Sequence, residues 1–455
     1  MLIDCGASVS AQDNDGQSPL HLASQVGRLE VVFMLIDRRA SVLARNKEHQ
    51  TPLHLASQAG KLKVAKMLID HGASASALNR DGCGQTPLHL VSQAGQLNVA
   101  RMLINRGPSV SARNNGGQTP LHLASQAGQL EVARMLIDRS TGVSSQDEDG
   151  QTPLHLALQA GQAGVARMLL ERGASLSAQN KGGQTPLHPA SQAGQPEVAR
   201  MLIECGVDVS TQDTDGQTPL HLASQAGKLE VVHMLLERGT SVSDKNKDGQ
   251  IPFHLVFPGN YTQASGHPEV ARMLIECGAD VSTRDKDGQT PLHMVSQAWK
   301  SEYHGMPIKR GAGDSAKNEK DRTPLMPVMR ERRLEDARML IECGADVSAQ
   351  NKDGQSPLHL ASQAGRLEIA RMLTDHCAHA SAQNKDGLSP LHLTSQAGRV
   401  NVIRMLIERD ADISARDKYG RTLLDLAHPR VIRMFWIGTY ASDHPELVSI
   451  IRNLD

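Results

Sequence analysis

Apolar residues recur along this chain in two kinds of short run that alternate. One reads Pro-Leu-His-Leu-Ala, as in residues 120–124, and the other carries Leu130, Val132, Ala133, Leu136 and Ile137 at the spacing of one helix face. The first run predicts a short helix. Thr119 stands at the capping position, Pro120 at the first helical position where no donor is lost, and Gly128 where a left-handed residue ends the helix. The second run predicts a longer helix, commonly closed by another glycine such as Gly72, Gly107 or Gly173. An extended Ala-Ser-Val-Ser-Ala-like stretch follows, and an Asp-Gly turn such as Asp149-Gly150 or Asp215-Gly216 projects before the next pair.

The pair repeats. Some version of Thr-Pro-Leu-His begins thirteen times, at Ser18, Thr51, Thr86, Thr119, Thr152, Thr185, Thr218, Ile251, Thr290, Thr323, Ser356, Ser389 and Thr422, and ten of the twelve gaps are 33 residues. A fixed period of this length means a stack of small units, none able to bury its apolar face alone. The 455 residues therefore count units rather than the three or so domains that length alone would suggest.

This order of helix, turn, helix and hairpin, headed by Thr-Pro-Leu-His-Leu-Ala, resembles the ankyrin repeat over nearly all of residues 1–436. The resemblance implies an all-α repeat: an ankyrin solenoid of helix–turn–helix units with projecting β-hairpin turns. It also implies a concave face of hairpin tips and first helices that grips another protein. Long uniform arrays of this kind are similar to fungal ankyrin-repeat proteins, in which a separate effector domain often precedes the array. We read residues 1–250 as regular repeats starting mid-repeat, 251–333 as irregular degenerate repeats, 334–436 as regular repeats with a C-terminal cap, and 437–455 as a tail.

Charge and composition narrow the partner class. The 48 Lys and Arg balance 49 Asp and Glu, whereas nucleic-acid binders show a basic excess or stripe. The ten aromatic residues supply few stacking platforms for bases. No run approaches the roughly 18 apolar residues that span a bilayer, and the start Met1–Gly6 lacks the basic and apolar segments of a secretory signal. The expectation is a cytoplasmic or, alternatively, nuclear monomer that binds protein rather than nucleic acid or membrane. Cys5, Cys205, Cys277 and Cys343 share one repeat position before the closing glycine. With Cys205, Cys277 and Cys343 two units apart, roughly 20 Å at the spacing of packed helices, they are expected to be free thiols in a half-buried slot.

Candidate chemistry is sparse. The recurring histidines (His21, His54, His89, His122, His155, His188, His221, His254, His293, His359, His392) are spaced one per unit, about 10 Å apart, too far for a shared zinc ion. Each is expected to bond its own capping Thr and adjoining backbone. His376, Cys377 and His379 form the one local ligand-like cluster, without a fourth partner in sequence. There is no Gly-x-Ser-x-Gly elbow and no phosphate loop. Glu131, Arg134 and Asp138 have the spacing of exposed helix pairs. The chain is therefore read as non-catalytic, with no cofactor and no metal. The rival reading is a small enzymatic pocket in the irregular units using Glu302 and His304. A third reading makes the array the recognition or regulatory arm of a larger effector, because Met1 enters the repeat at its second helix.

Two glutamine ladders mark candidate contact residues. One runs through Gln85, Gln118, Gln151, Gln184, Gln217 and Gln250 at the hairpin exit. The other runs through Gln93, Gln126, Gln159, Gln192 and Gln225 at the end of the first helix, beside Ser92, Ser125, Ser191 and Ser224. They form either a repetitive polar groove for an extended ligand or the residue of recent duplication, and Gln and Ser are poor hot-spot residues. Sequence logic breaks in residues 251–333. Ile251 removes a cap, six residues are added around Pro258–Gln263, Gly305 and Pro307 interrupt a second helix, and Met326 and Pro327 replace His and Leu. Five of the ten aromatics lie here: Phe253, Phe257, Tyr261, Trp299 and Tyr303. This stretch is a binding hot spot, a hinge, a decayed unit, or a gene-model error in which non-coding sequence is translated. Elsewhere, Pro189 takes a core leucine position at a cost of up to about 3 kcal/mol, and Thr422–Ala427 opens a last first helix.

Overall fold

The computed structural model describes residues 8–79, 83–107, 109–140, 142–257, 267–297, 325–429 and 431, with residues 297 and 325–333 described as helix backbone alone. Among the described residues are 22 helices and no strand. They come in pairs, and the template unit shows why. Thr119 is extended at φ −91° and ψ 165°, which leaves its hydroxyl over the open end of the helix Pro120–Gln126. Gly128, at φ +71°, ends that helix by a left-handed turn that a side chain would oppose. The chain then re-enters a helix at Leu130–Ile137, which buries Val132, Ala133 and Leu136 against Leu121, Leu123 and Ala124 of the first.

The projecting turns are built from side-chain bonds rather than from strand pairing. Asp147 Oδ1 accepts from the N–H groups of Asp149 (3.0 Å) and Gln151 (2.8 Å), and the tip is passed to the next unit by Lys181 N–H donating to Asp149 O at 2.8 Å. Gly150 is fixed there twice over. Its φ is +74°, and an added Cβ would lie 3.0 Å from Asn180 Cα and Lys181 N. The resemblance had implied hairpins; the tips are Asx turns stacked by one backbone bond per unit.

The chain divides into two compact units, Met1–Pro219 and Leu220–Asp455. In the first, Pro189 is accommodated without loss of the helix. Leu187–Ala193 remains helical, and residue 189 falls in the first turn, where the backbone N–H has no intrahelical acceptor to lose. The outer charges pair between units as well as within them. Arg134 lies 4.0 Å from Glu131, but Asp138 bonds Arg172 of the following unit at 2.5 Å, and Asp70 bonds Arg106 at 2.8 Å. Exposed pairs of this kind contribute about 0–1 kcal/mol each.

In the second unit the pattern departs from expectation at three places. The first helix of the Ile251 motif is cut to Pro252–Leu255, and Phe253 and Phe257 close the core beneath it as an edge-to-face pair with centroids 5.6 Å apart. Residues 325–342 form one 18-residue helix, because Arg332 occupies the place where a regular unit has the helix-ending glycine. The last motif is a turn over 423–426 rather than a helix, with Asp425 standing at the histidine position and accepting from Thr422 N–H (2.6 Å) and Thr422 Oγ1–H (2.8 Å). Those bonds from the Thr422 backbone and hydroxyl hold the Asp425 carboxyl below its usual range.

The cysteines also differ from expectation. Cys205, Cys277 and Cys343 are free, as expected, but exposed rather than half-buried; Cys5 lies outside the described residues, and Cys83 and Cys377 are free and exposed as well. Cys277 and Cys343 follow the helices Pro268–Glu276 and Leu325–Glu342, which are consecutive second helices, so these two thiols lie one unit apart instead of two.

Candidate functional site

The repeated histidine is the polar centre of each unit. In the template, the backbone N–H of Thr119 donates to His122 Nδ1 at 3.1 Å, and the Thr119 hydroxyl lies 2.8 Å from the same atom. An acceptor at Nδ1 places the ring proton on Nε2, which donates to the backbone carbonyl of Gln151, one unit further on, at 3.1 Å. The ring thus closes its own helix start and clamps the next turn. The same bridge runs from His21 to Gln50 O (3.0 Å), His89 to Gln118 O (3.0 Å), His155 to Gln184 O (2.9 Å) and His188 to Gln217 O (3.2 Å). The link to the next unit was not read from sequence, although its span is the same 29 residues in each of these five units. These rings are buried, and burial pushes their pKa down more than the accepting carbonyl holds it up, to about 4 for His54 and His359. His254 shows what the cap contributes. With Ile251 in place of Thr there is no hydroxyl on Nδ1, and His254 Nε2 has no hydrogen-bond partner.

This geometry sorts the two glutamine ladders. Gln118, Gln151, Gln184 and Gln217 are half-buried, and their backbone carbonyls are the acceptors of the histidine bridges. Where the turn begins with Asn, its amide donates to the glutamine side chain, as Asn114 does to Gln118 Oε1 (3.4 Å) and Asn180 to Gln184 Oε1 (3.3 Å). Where it begins with Asp13, Asp213 or Asp285, no such donor exists, and Gln17, Gln217 and Gln289 Oε1 are buried without a partner. The second ladder is open instead. Gln126 and Gln192 are exposed and Gln225 is half-buried, near the ends of first helices most of whose other residues are buried. The adjoining serines belong to the core, a correction to the contact role expected of them. Ser92, Ser125, Ser191 and Ser224 are fully buried, and Ser92 Oγ–H donates to Leu88 O at 2.7 Å.

Of the five aromatics in the irregular stretch, Phe253 and Phe257 are 0 % and 2 % exposed, so they fill the core and present no ring to a partner. Tyr261, Trp299 and Tyr303 lie outside the described residues, as do Glu302 and His304. Two exposed aromatics among the described residues were missed in the sequence, Phe33 on a second helix and Tyr419. Tyr419, 69 % exposed, stands at the last described turn tip, with Lys418 Nζ 5.1 Å and the Arg421 guanidinium 4.9 Å from its ring. Its signal was its place, a tip position that carries Asp or Gly in most units.

Among the described residues no group of three His, Cys, Asp or Glu side chains converges on a metal position, and His376 Nδ1 is engaged with Met372 O of its own helix at 2.9 Å. Among the same residues no helix is long and apolar enough to cross a membrane. No curated protein matches the chain. The family model for ankyrin repeats, in overlapping sets of three copies, matches residues 1–79, 75–147, 139–213, 176–246, 202–285, 260–351, 299–383 and 325–417. With paired helices, capped starts and a 33-residue period behind that match, the chain belongs to the ankyrin-repeat family.

Proposed function

We propose that the chain is a non-catalytic scaffold that binds another protein along the face formed by its turn tips and the ends of its first helices. The observation that supports this reading is the open ladder Gln93, Gln126, Gln159 and Gln192. These side chains are exposed on helices most of whose remaining residues are committed to the core. Repeat arrays offer extended surfaces of this kind rather than enclosed pockets. Glutamine supplies generic contact, so specificity in this reading rests on residues that break the repetition: Tyr419 at its tip, and Tyr261, Trp299 and Tyr303 in the irregular stretch.

The test is to place a photo-crosslinking residue at Gln126 or Gln159, and separately at Arg134 or Arg167 on the exposed side of second helices. The expected result is one defined protein captured from the two glutamine positions and not from the two arginine positions. Capture of that protein equally well from the arginine positions would remove the proposed face.

A further inference from the structure

We infer that the array holds one unit fewer than its sequence motifs, because the first helix of the Thr290 motif and the second helix of the Thr323 motif combine into a single unit. Three bonds made by described residues carry this. His293 Nε2 donates to Gln355 O at 3.0 Å across 62 residues, where the regular bridge spans 29. Arg284 Nη1 donates to Gln350 O at 2.8 Å across 66 residues, where Arg113 reaches Gln146 O across 33. Lys352 N–H donates to Asp287 O at 2.7 Å, the tip-to-tip bond that Lys385 makes to Asp353 O at 3.0 Å. Each span is longer than its regular counterpart by one period, so no further helix pair stands between these two turns. The second helices agree. A groove of about 580 Å³ is walled by Glu269, Arg272 and Glu276 of Pro268–Glu276 and by Glu335, Arg338 and Glu342 of the long helix.

The choice of helix is a register selection. Thr290 and Thr323 both head candidate first helices for the one second helix that begins near Leu334. The Thr323 candidate cannot fold back on it, because Arg332 replaces the left-handed glycine and the backbone runs straight through from Leu325 to Glu342, about 27 Å of continuous helix. It also has Met326 where the bridge to Gln355 needs an imidazole, and Pro327 where the core takes leucine. His293 makes that bridge, so Pro291–Gln297 is the helix that enters the stack.

The test uses cysteine pairs in a full-length background whose native cysteines are replaced by serine. Asp287→Cys with Lys352→Cys joins tips that are adjacent in the inferred register. Asp287→Cys with Glu319→Cys joins tips that would be adjacent if the Thr323 motif formed its own unit. Asp353→Cys with Lys385→Cys is the regular control. Under oxidised glutathione, the 287/352 pair is expected to close within a few-fold of the 353/385 rate and at least tenfold faster than 287/319. A 287/352 pair no faster than 287/319 overturns the register. Adding Arg332→Gly, Met326→His and Pro327→Leu is expected to slow closure of 287/352 at least tenfold; an unchanged rate overturns the selection by those residues. If that variant loses the far-UV circular dichroism of the parent, deletion of residues 298–330 with Arg332→Gly replaces it. This deletion is expected to keep the 287/352 disulfide, and its loss beside an intact 353/385 disulfide overturns the inference.

Discussion

Lowering the pH from 8 to 5 should weaken this array well before its carboxylates titrate, because its polar bridges work only with neutral imidazole. The Thr N–H groups donate to Nδ1, so a proton there would set two donors against each other. Burial is the larger cause holding His54 and His359 near pKa 4 against the ordinary 6.5, and eight more bridge-position histidines are shifted in the same direction. A folded pKa below the unfolded one means the unfolded chain takes up protons first as pH falls. The contribution is therefore complete above about pH 7, declines between 6.5 and 4, and is gone below 4. At pH 5, His54 and His359 each cost about 2 kcal/mol relative to pH 8, with a slope of roughly 1.4 kcal/mol per pH unit for each ring. Urea unfolding followed by far-UV circular dichroism at constant ionic strength should show the midpoint falling steadily from pH 6.5 to 5. In His54→Gln, which cannot take up a proton, that slope should be shallower. Long-range nitrogen–proton spectra should place the ring proton on Nε2. A midpoint flat between pH 8 and 5, or a proton found on Nδ1, would refute the bridge as the source.

Three further outcomes follow from the packing. Ser125→Ala should raise the stability of the unit by about 1 kcal/mol in urea melts, since Ser125 Oγ is buried without a partner. Asp213→Asn keeps the turn acceptor and adds a donor for Gln217 Oε1, so the melting temperature should rise, by about 0.5–1 kcal/mol of stability, while an unchanged value would count against the Asn–Gln bond. Gly150→Ala should lower stability by about 1–3 kcal/mol and increase amide exchange at Lys181, the donor of the tip bond.

The period, the capping threonines, the helix-ending glycines and the family resemblance were all legible because they are local and repeated. Burial by type was legible too, as the stripe of Val132, Ala133 and Leu136 shows. What the sequence concealed was relational. The carbonyl that His122 bonds belongs to a residue 29 positions away, and nothing about glutamine announces that its backbone rather than its side chain is used. The aromatics of the irregular stretch read as surface because the motif around them was broken, yet Phe253 and Phe257 are core, replacing by volume what a four-residue helix cannot pack. Counting motifs also counted one unit too many, since a motif scores on Thr-Pro-Leu while the stack also needs a turn at Arg332 that no glycine provides.

The same bridge explains why recognition and stability draw on different residues here. A unit that clamps its successor through histidine and a backbone carbonyl fixes the turn, the cap and the buried serine position, and on the side of the turns and first helices it leaves the tip and the glutamine near the end of the first helix exposed. Those exposed positions are nearly constant glutamine along the first helices, whereas the tips change from Glu148 to Lys181 to Thr214 within the first compact unit. Selection for a partner acting on this array therefore has the tips to work on at little cost to the core, because each tip is held by backbone bonds that accept any side chain at that position. Substituting Glu148, Lys181 or Thr214 changes what the surface presents and leaves the bridge beneath it intact, whereas substituting His122 changes both. An interaction that survives His122→Ala but not Glu148→Lys would be reading the tips.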